Sequence, residues 1–333
     1  MREIESIEAR ASTKGAFSMS KKLITVFGAT GAQGGGLARA ILADASGNFA
    51  VRAVTRKPDS DAAKALSGAG AEVIAADLDD AASVARAMQG AYGAFCITNF
   101  WEHFSPDKEL AQAETMAQAA ADAKLQHVIW STLEDTRKSI PVGSGRMPVL
   151  MGKYNVPHFD AKGEANHFFV DRKLPVTLLH TSFYWDNFIH FGMGPAAGPD
   201  GKLAISLPMG DAKLPGIAAV DIGRSAFGIF KAGVAGLHHA VGIAGEHLSG
   251  TEMAAAFSKL MNKPVAYNAV TPEAYRGFGF PGAEDLGNMF QFKHDFETAF
   301  RAARSVEATR KLNPALMNFE QWLNAHRAAF VKD

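Results

Sequence analysis

Six short runs rich in apolar and β-branched residues recur along the first half of the chain: LITVFG (23–28), AVRAVT (50–55), AEVIAA (71–76), YGAFCIT (92–98), HVIWST (127–132) and PVTLLH (175–180). Ala-rich segments with helical spacing separate them. In the first, Leu37, Ala40 and Ile41 fall at i, i+3 and i+4, on one face of a helix. A later one opens with Ser105 at the N-cap and Pro106 in the first helical position, and Gly90 follows SVARAMQ as a helix stop. Parallel strands need a crossover long enough to bring the chain back, and a helix supplies it. The alternation therefore predicts an α/β fold, a Rossmann-type doubly wound parallel sheet with helices on both faces and a smaller α/β unit after it.

The stretch GATGAQG, Gly28 to Gly34, lies between the first strand and the first helix. That context turns a weak glycine pattern into a phosphate-binding signature. Gly28 permits the tight turn, Gly31 lets the backbone approach a pyrophosphate, and Gly34 lets helix and strand pack closely. The helix N-terminus offers free N–H groups and partial positive charge. The second strand ends in Thr55-Arg56-Lys57, where an NAD-selective site normally carries an acid for the ribose hydroxyls. Arg56 suits a bidentate, charge-assisted contact to a 2′-phosphate instead, so the expected cofactor is NADP(H). Asp77 closes the third strand beside the expected adenine, with capping of the next helix as its alternative role. Thr98 and Asn99 close the fourth, near the central riboses.

Composition narrows the function by exclusion. Lys and Arg total 34 against 34 Asp and Glu, with no basic run, so there is no electrostatic footprint for nucleic acid or an anionic membrane. No apolar run reaches the ~18 residues that span a bilayer. The single cysteine, Cys96, excludes an intrachain disulfide and a Cys-based metal site, and reads as a core residue of the fourth strand. His127 also reads as a strand residue. His238-His239 has no carboxylate at metal-ligand spacing, so no metal is expected. Residues 1–20 lack an apolar signal core and carry three Glu. They read as a flexible extension of a cytoplasmic protein, with Met1 or Met19 as the start. The Gly- and Pro-rich region 134–157 has either the role of a lid over a site or that of a passive surface excursion.

Several stretches outside the nucleotide pattern are distinctive: ITNFWE, HFDAKGE, SLPMGD, FGFPGAEDLGNMF and LNPALMNFEQWL, beside VFGATGAQGG and VRAVTR. Together, from about Lys22 to about Phe330, they resemble the NmrA-like family, an atypical branch of the short-chain dehydrogenases/reductases that includes a human redox sensor. The resemblance implies NADP(H) binding in a domain over 21–182, completed by returning segments around 215–245. It further implies a smaller substrate- or partner-side domain over 183–333 and a cleft between the two for a small molecule. It carries cofactor contacts onto Gly28, Thr30, Gly31, Ala32, Gln33, Gly34, Arg56, Asp77, Thr98, Asn99 and Lys162, with Ser182, Phe183 and Tyr184 near the nicotinamide. A lysine contact of the human member, in the helix after ITNFWE, falls on Ala111 here.

Catalytic short-chain dehydrogenases use a Tyr, a Lys four residues later and a Ser at the end of the preceding strand. The matching positions are His158, Lys162 and Ser131. An imidazole, with an unperturbed pKa of ~6.5, suits general acid work but is shorter than a phenol. Three readings stay open: His158 only packs while Lys162 serves the ribose, His158 donates a proton, or Tyr154 or Tyr184 does. His180 ends its strand facing the expected cleft, and Tyr184-Trp185-Asp186-Asn187 is expected to wall it.

Two functions compete. The missing Tyr favours a cofactor-sensing regulator, with a protein partner or a homodimer reading its NADP(H) occupancy and with little or no dehydrogenase activity. The aromatic SFYWDNFIHF segment, and the reductases within the family, favour an NADPH-dependent reductase of a quinone-like or unsaturated small molecule. In the C-terminal half KLAISLP, IAAVD and HAVGIAGE read as strands, with Asp221 capping a helix to about Lys231. TEMAAAFSKLMNK and FEQWLNAHRAAF read as amphipathic helices.

Overall fold

A computed structural model of the chain describes residues 21–233 and 240–331. The expected N-terminal extension and His238-His239 lie outside the described residues. All six apolar runs form strands: Lys22–Val26 (β1), Phe49–Thr55 (β2), Glu72–Ala75 (β3), Gly93–Cys96 (β4), His127–Thr132 (β5) and Val176–His180 (β6). With Ala240–Gly242 they make a seven-stranded sheet in the order β3-β2-β1-β4-β5-β6 and then Ala240–Gly242. Every pairing in it is parallel. The strand order reverses between β1 and β4, which is where an open α/β sheet presents its ligand crevice, at the carboxyl ends of the strands.

The central strands are apolar on both faces, as a sheet sandwiched by helices requires. Ile24 and Phe95 face one side, Cys96 and Val128 the other, all fully buried. Helices Ala32–Leu42 and Ala219–Ala232 cover the first face, and Ala81–Met88, Pro106–Asp122 and Pro157–Asp171 the second. The two helices on the first face cross with backbones nearly touching. A Cβ added at Gly223 would lie 2.1 Å from the Leu37 amide nitrogen. Ser105 caps the 106–122 helix by accepting from the Lys108 N–H at 3.2 Å, with Pro106 behind it. Burial pushes the Cys96 thiol well up, away from the reactive thiolate.

After β6 the chain builds two three-stranded sheets. One joins Phe183–Tyr184, Leu214–Ile217 and Glu246–Leu248; the other joins Ala196–Ala197, Leu203–Leu207 and Val265–Ala269. An aromatic core that includes Trp185, Phe257, Phe290, Phe319 and Trp322 fills the space around them. The returning region divides: 214–217 stays in a small sheet, and 240–242 joins the large one.

Two expectations for the C-terminal half are corrected. The IAAVD run is not a strand: the strand ends at Ile217 and the helix begins at Ala219. Asp221 is not its cap. Buried in the first turn, it accepts from Arg224, from the Asn313 side chain at 3.0 Å and from the Met317 N–H at 2.9 Å, clasping the LNPALM segment. Region 134–157 is pinned down beside the site rather than across it. The buried Asp160 carboxylate accepts from the backbone N–H groups of Thr136, Asn155 and Val156 at 2.8, 2.8 and 2.9 Å. Asn288 donates to the Pro148 and Asn155 carbonyls, and no residue of this region lines the cleft.

Candidate functional site

A cleft of about 1210 Å³ opens at the carboxyl ends of the strands. Its floor is the glycine loop. Gly28 takes φ +62°, a left-handed conformation that glycine adopts without steric cost. Gly34 cannot carry a side chain, because a Cβ there would lie 2.4 Å from the Gly28 carbonyl oxygen. Gly31 is the N-cap of the 32–42 helix and offers no side chain to its first N–H groups. Those groups, beside exposed Thr30 and Ala32, are left to meet an anion.

Gln33 ties this loop to the neighbouring strand ends. Its side-chain oxygen accepts from Ser131 Oγ at 2.8 Å, and its amide nitrogen donates to the Tyr184 hydroxyl. That hydroxyl lies 3.5 Å from Thr181 Oγ1, and burial raises the Tyr184 pKa. Ser131 is therefore engaged with Gln33, not with His158. Ser182 also lines the cleft, and its buried hydroxyl has no hydrogen-bond partner among the described residues. Phe183 packs its ring into the aromatic core while forming part of the wall.

Lys162, four residues along the 157–171 helix from His158, reaches back to the end of β4. Its ammonium donates to Thr98 Oγ1 at 2.6 Å and to the Thr98 carbonyl at 3.2 Å. It also pairs with Glu109 Oε1 at 2.7 Å. Glu109 is fully buried and takes the Thr98 hydroxyl as well, with His103 Nε2 3.4 Å from its other oxygen. Burial alone would raise the Glu109 pKa. The Lys162 charge, with hydrogen bonds from His103, Lys162 and Thr98, outweighs it and holds the carboxyl at about 2. Glu109 was not foreseen. Its signal lay in the 106–122 helix, where Glu109 falls on the buried stripe with Gln112, Ala113 and Met116. Ala111, where the resemblance places a lysine contact, is exposed away from the cleft.

Arg56, Lys57, Asp77 and Asn99 line the mouth at the ends of β2, β3 and β4. Arg56 is half exposed and pairs with Glu102, whose hydrogen bond raises the guanidinium pKa further. Asp77 does not cap the next helix. It accepts from the Asp79 N–H at 3.0 Å, while Asp80 is the N-cap.

His158 is nearly buried between the two halves of the chain. Its Nδ1 lies 2.7 Å from Asp285 Oδ1, and its backbone N–H donates to the other oxygen at 3.2 Å. Trp101 packs on the ring at 4.7 Å between centroids. Asp285 opens the Ala283–Asp295 helix, whose residues Leu286, Met289 and Lys293 continue along the cleft wall. Of the expected walls, Tyr184, Asp186 and Asn187 line the cleft, whereas Trp185 turns into the core against Phe319 and Trp322. His180 faces Glu134 at 3.7 Å, and Tyr154 is buried outside the cleft. Among the described residues no group of His, Cys, Asp and Glu is placed to hold a metal, and no helix is long and apolar enough to cross a membrane.

The model of the NmrA-like family matches residues 20–323. An NmrA-like family domain-containing oxidoreductase of Cladobotryum sp, FrzB, is 31% identical over 309 residues, covering 86% of this chain and 88% of its own. The crystal structure of NmrA, a negative transcriptional regulator, in complex with NADP superposes with a TM-score of 0.73 at 24% identity, covering 94% of this chain and 96% of that one. The NADPH-dependent quinone oxidoreductase QOR2 of Escherichia coli, complexed with NADPH, superposes with a TM-score of 0.69 at 20% identity, covering 91% of this chain and 99% of that one. At these identities the likeness to solved structures speaks for the fold.

Proposed function

This chain belongs to the NmrA-like family, and within it we propose an NADP(H)-dependent reductase of a quinone-like or otherwise unsaturated small molecule. The observation that carries this reading is that the cleft does not end at the glycine cradle. Its lining also takes in His158 and a chamber of Trp101, Phe191, Phe280, Leu286 and Met289 beside Asn187 and His190. The whole exceeds the ~300–1,000 Å³ of an ordinary single-ligand pocket, which leaves room for an acceptor beside a dinucleotide. Phe191 stays 60% exposed at its rim, an apolar surface suited to a flat hydrophobic ligand.

In this reading the glycine loop holds the pyrophosphate, Arg56 with Lys57 holds the 2′-phosphate, and Lys162 holds a ribose hydroxyl. Asp77 and Asn99 border the adenosine side, and the unpaired Ser182 hydroxyl meets the nicotinamide end. Bound NADPH supplies the hydride. Names of relatives agree with an oxidoreductase, and neighbours of the same fold are complexed with NADP, NADPH or NAD. Arg56 at the end of β2, where no acid stands, is what favours the phosphorylated cofactor.

The second reading is a cofactor sensor. It is favoured by the imidazole in the place of the phenol and by its tight engagement with Asp285. Calorimetric titration of the purified protein with NADPH, NADP⁺, NADH and NAD⁺, followed by NADPH consumption with 1,4-naphthoquinone and a panel of conjugated carbonyls, separates the two. Tight binding of the phosphorylated pair with acceptor-dependent oxidation supports the reductase. Tight binding without turnover on any acceptor leaves the sensor. No binding of any dinucleotide overturns both.

A further inference from the structure

Among the described residues no carboxylate is in ion-pair contact with the buried Lys293 ammonium. Lys293 follows Leu286 and Met289 by seven and four residues on the 283–295 helix, so all three share the face that lines the cleft. The side chain is 3% exposed. Its ammonium lies 5.4, 5.7, 5.6 and 5.9 Å from the ring centroids of Phe159, Phe290, Phe300 and Phe183. Its hydrogen-bond partner is Met289 Sδ at 3.3 Å, a weak acceptor. The nearby Glu134 carboxylate is already committed to Arg304 at 2.7 Å, with His180 beside it. Asp285, on the same helix, is committed to His158.

Aromatic faces offset part of the cost of burying such a charge, but not all of it. Folding gains nothing from this arrangement that a Leu or Met would not supply better. Burial, with the like charge of Arg304 and only partial relief from Glu134, brings the amine down to about 7. Both of its protonation states are then accessible near neutrality.

We propose that Lys293 receives the oxygen of the acceptor: its ammonium hydrogen-bonds the carbonyl oxygen of a conjugated carbonyl compound and protonates it during reduction. This rests on the reductase reading above. As the acceptor carbon takes up a hydride, the π-electron pair of the conjugated system moves onto the oxygen. The Lys293 N–H bond breaks and an O–H bond forms, leaving a neutral amine and an enol or phenol. Solvent entering the cleft returns the proton. The Phe159 and Phe183 rings beside Lys293, with Leu286 and Met289 on the same wall of the cleft, suit a flat apolar body carrying one electron-rich oxygen.

The test uses two probes in the presence of NADP⁺, read by quenching of tryptophan fluorescence. One is 2-hydroxy-1,4-naphthoquinone, an enolate anion at neutral pH; the other is its neutral methyl ether. The wild-type protein is expected to bind the enolate about tenfold or more tighter than the ether, the worth of one charge-assisted hydrogen bond. That preference fades as pH rises through about 7 and the amine loses its charge. Lys293→Met, an apolar side chain of similar length, loses both the preference and its pH dependence while binding NADPH normally and melting no lower. Loss of the dependence in that variant assigns it to Lys293 rather than to His158, His180, Glu134 or Arg304.

A variant that keeps the preference overturns the inference and leaves the reductase reading standing. So does a wild-type preference that is flat with pH, a result that needs no variant to fold. If the wild-type protein binds NADPH but neither probe, the chamber does not take such acceptors, and the reading and the inference fall together.

Discussion

Glu109→Gln removes one charge from beneath the site while keeping the side chain's size and an acceptor for Thr98 and Lys162. In the native protein Glu109 is fully buried, with Lys162 Nζ at 2.7 Å. Its carboxyl lies at about 2 instead of 4.5, which corresponds to ~3 kcal/mol of native-state preference for the carboxylate. Because the folded-state value is the lower one, this stabilisation is fully present above about 4.5 and is lost as pH falls towards about 2. The amide cannot supply it, and the substitution also strands the nearly buried Lys162 ammonium, so the loss at neutral pH is expected at ~3–5 kcal/mol. Urea unfolding of both proteins, from pH 7 down to pH 3, checks this through the difference between them. That difference should be largest at neutrality and shrink below about 4.5. A difference under ~1 kcal/mol at pH 7, or one unchanged by acid, would refute the argument that charge pairing holds Lys162 in place. In the double variant Glu109→Leu/Lys162→Met the ion pair becomes an apolar contact, which should restore much of the stability. NADPH binding should stay weak, separating the pair's structural role from its role towards the ribose.

Arg56→Ala is expected to weaken NADPH binding far more than NADH binding, since the guanidinium fork addresses only the 2′-phosphate; calorimetry showing equal losses would remove that assignment. His158→Ala should leave NADPH affinity within a few fold, because the ring is engaged by Asp285 and Trp101, whereas Lys162→Ala should lower it clearly. The reverse ranking in the same titration would overturn the roles given to the HFDAK segment.

What the chain encodes locally is its sheet and its phosphate loop. Six strands follow from β-branched runs, the crossovers from Ala-rich helices with Ser105 and Pro106 as a start, and the glycine loop from positions where a Cβ cannot fit. Each of these depends on residues near one another in sequence, so period, capping and backbone freedom suffice to read it. The NmrA-like resemblance likewise rests on contiguous motifs, and the family match over 20–323 agrees with it.

The charged interior of the site was not legible in the same way. Glu109, Asp285 and Lys293 each sit in a helix where a charge ordinarily reads as solvent-facing. What decides otherwise is which face the helix turns to its neighbours. Glu109 meets Lys162 across the 106–122 and 157–171 helices, Asp285 meets His158 from 127 residues away, and Ser131 meets Gln33 from 98 away. Asp221 shows the same limit: its place near a helix start suggested a cap, and packing against residues 313–317 made it a clasp. Secondary structure is decided by short-range sterics and hydrogen bonding along the chain. Which charges are desolvated together, and so which groups become chemically distinctive, is decided only when distant helix faces pack against one another.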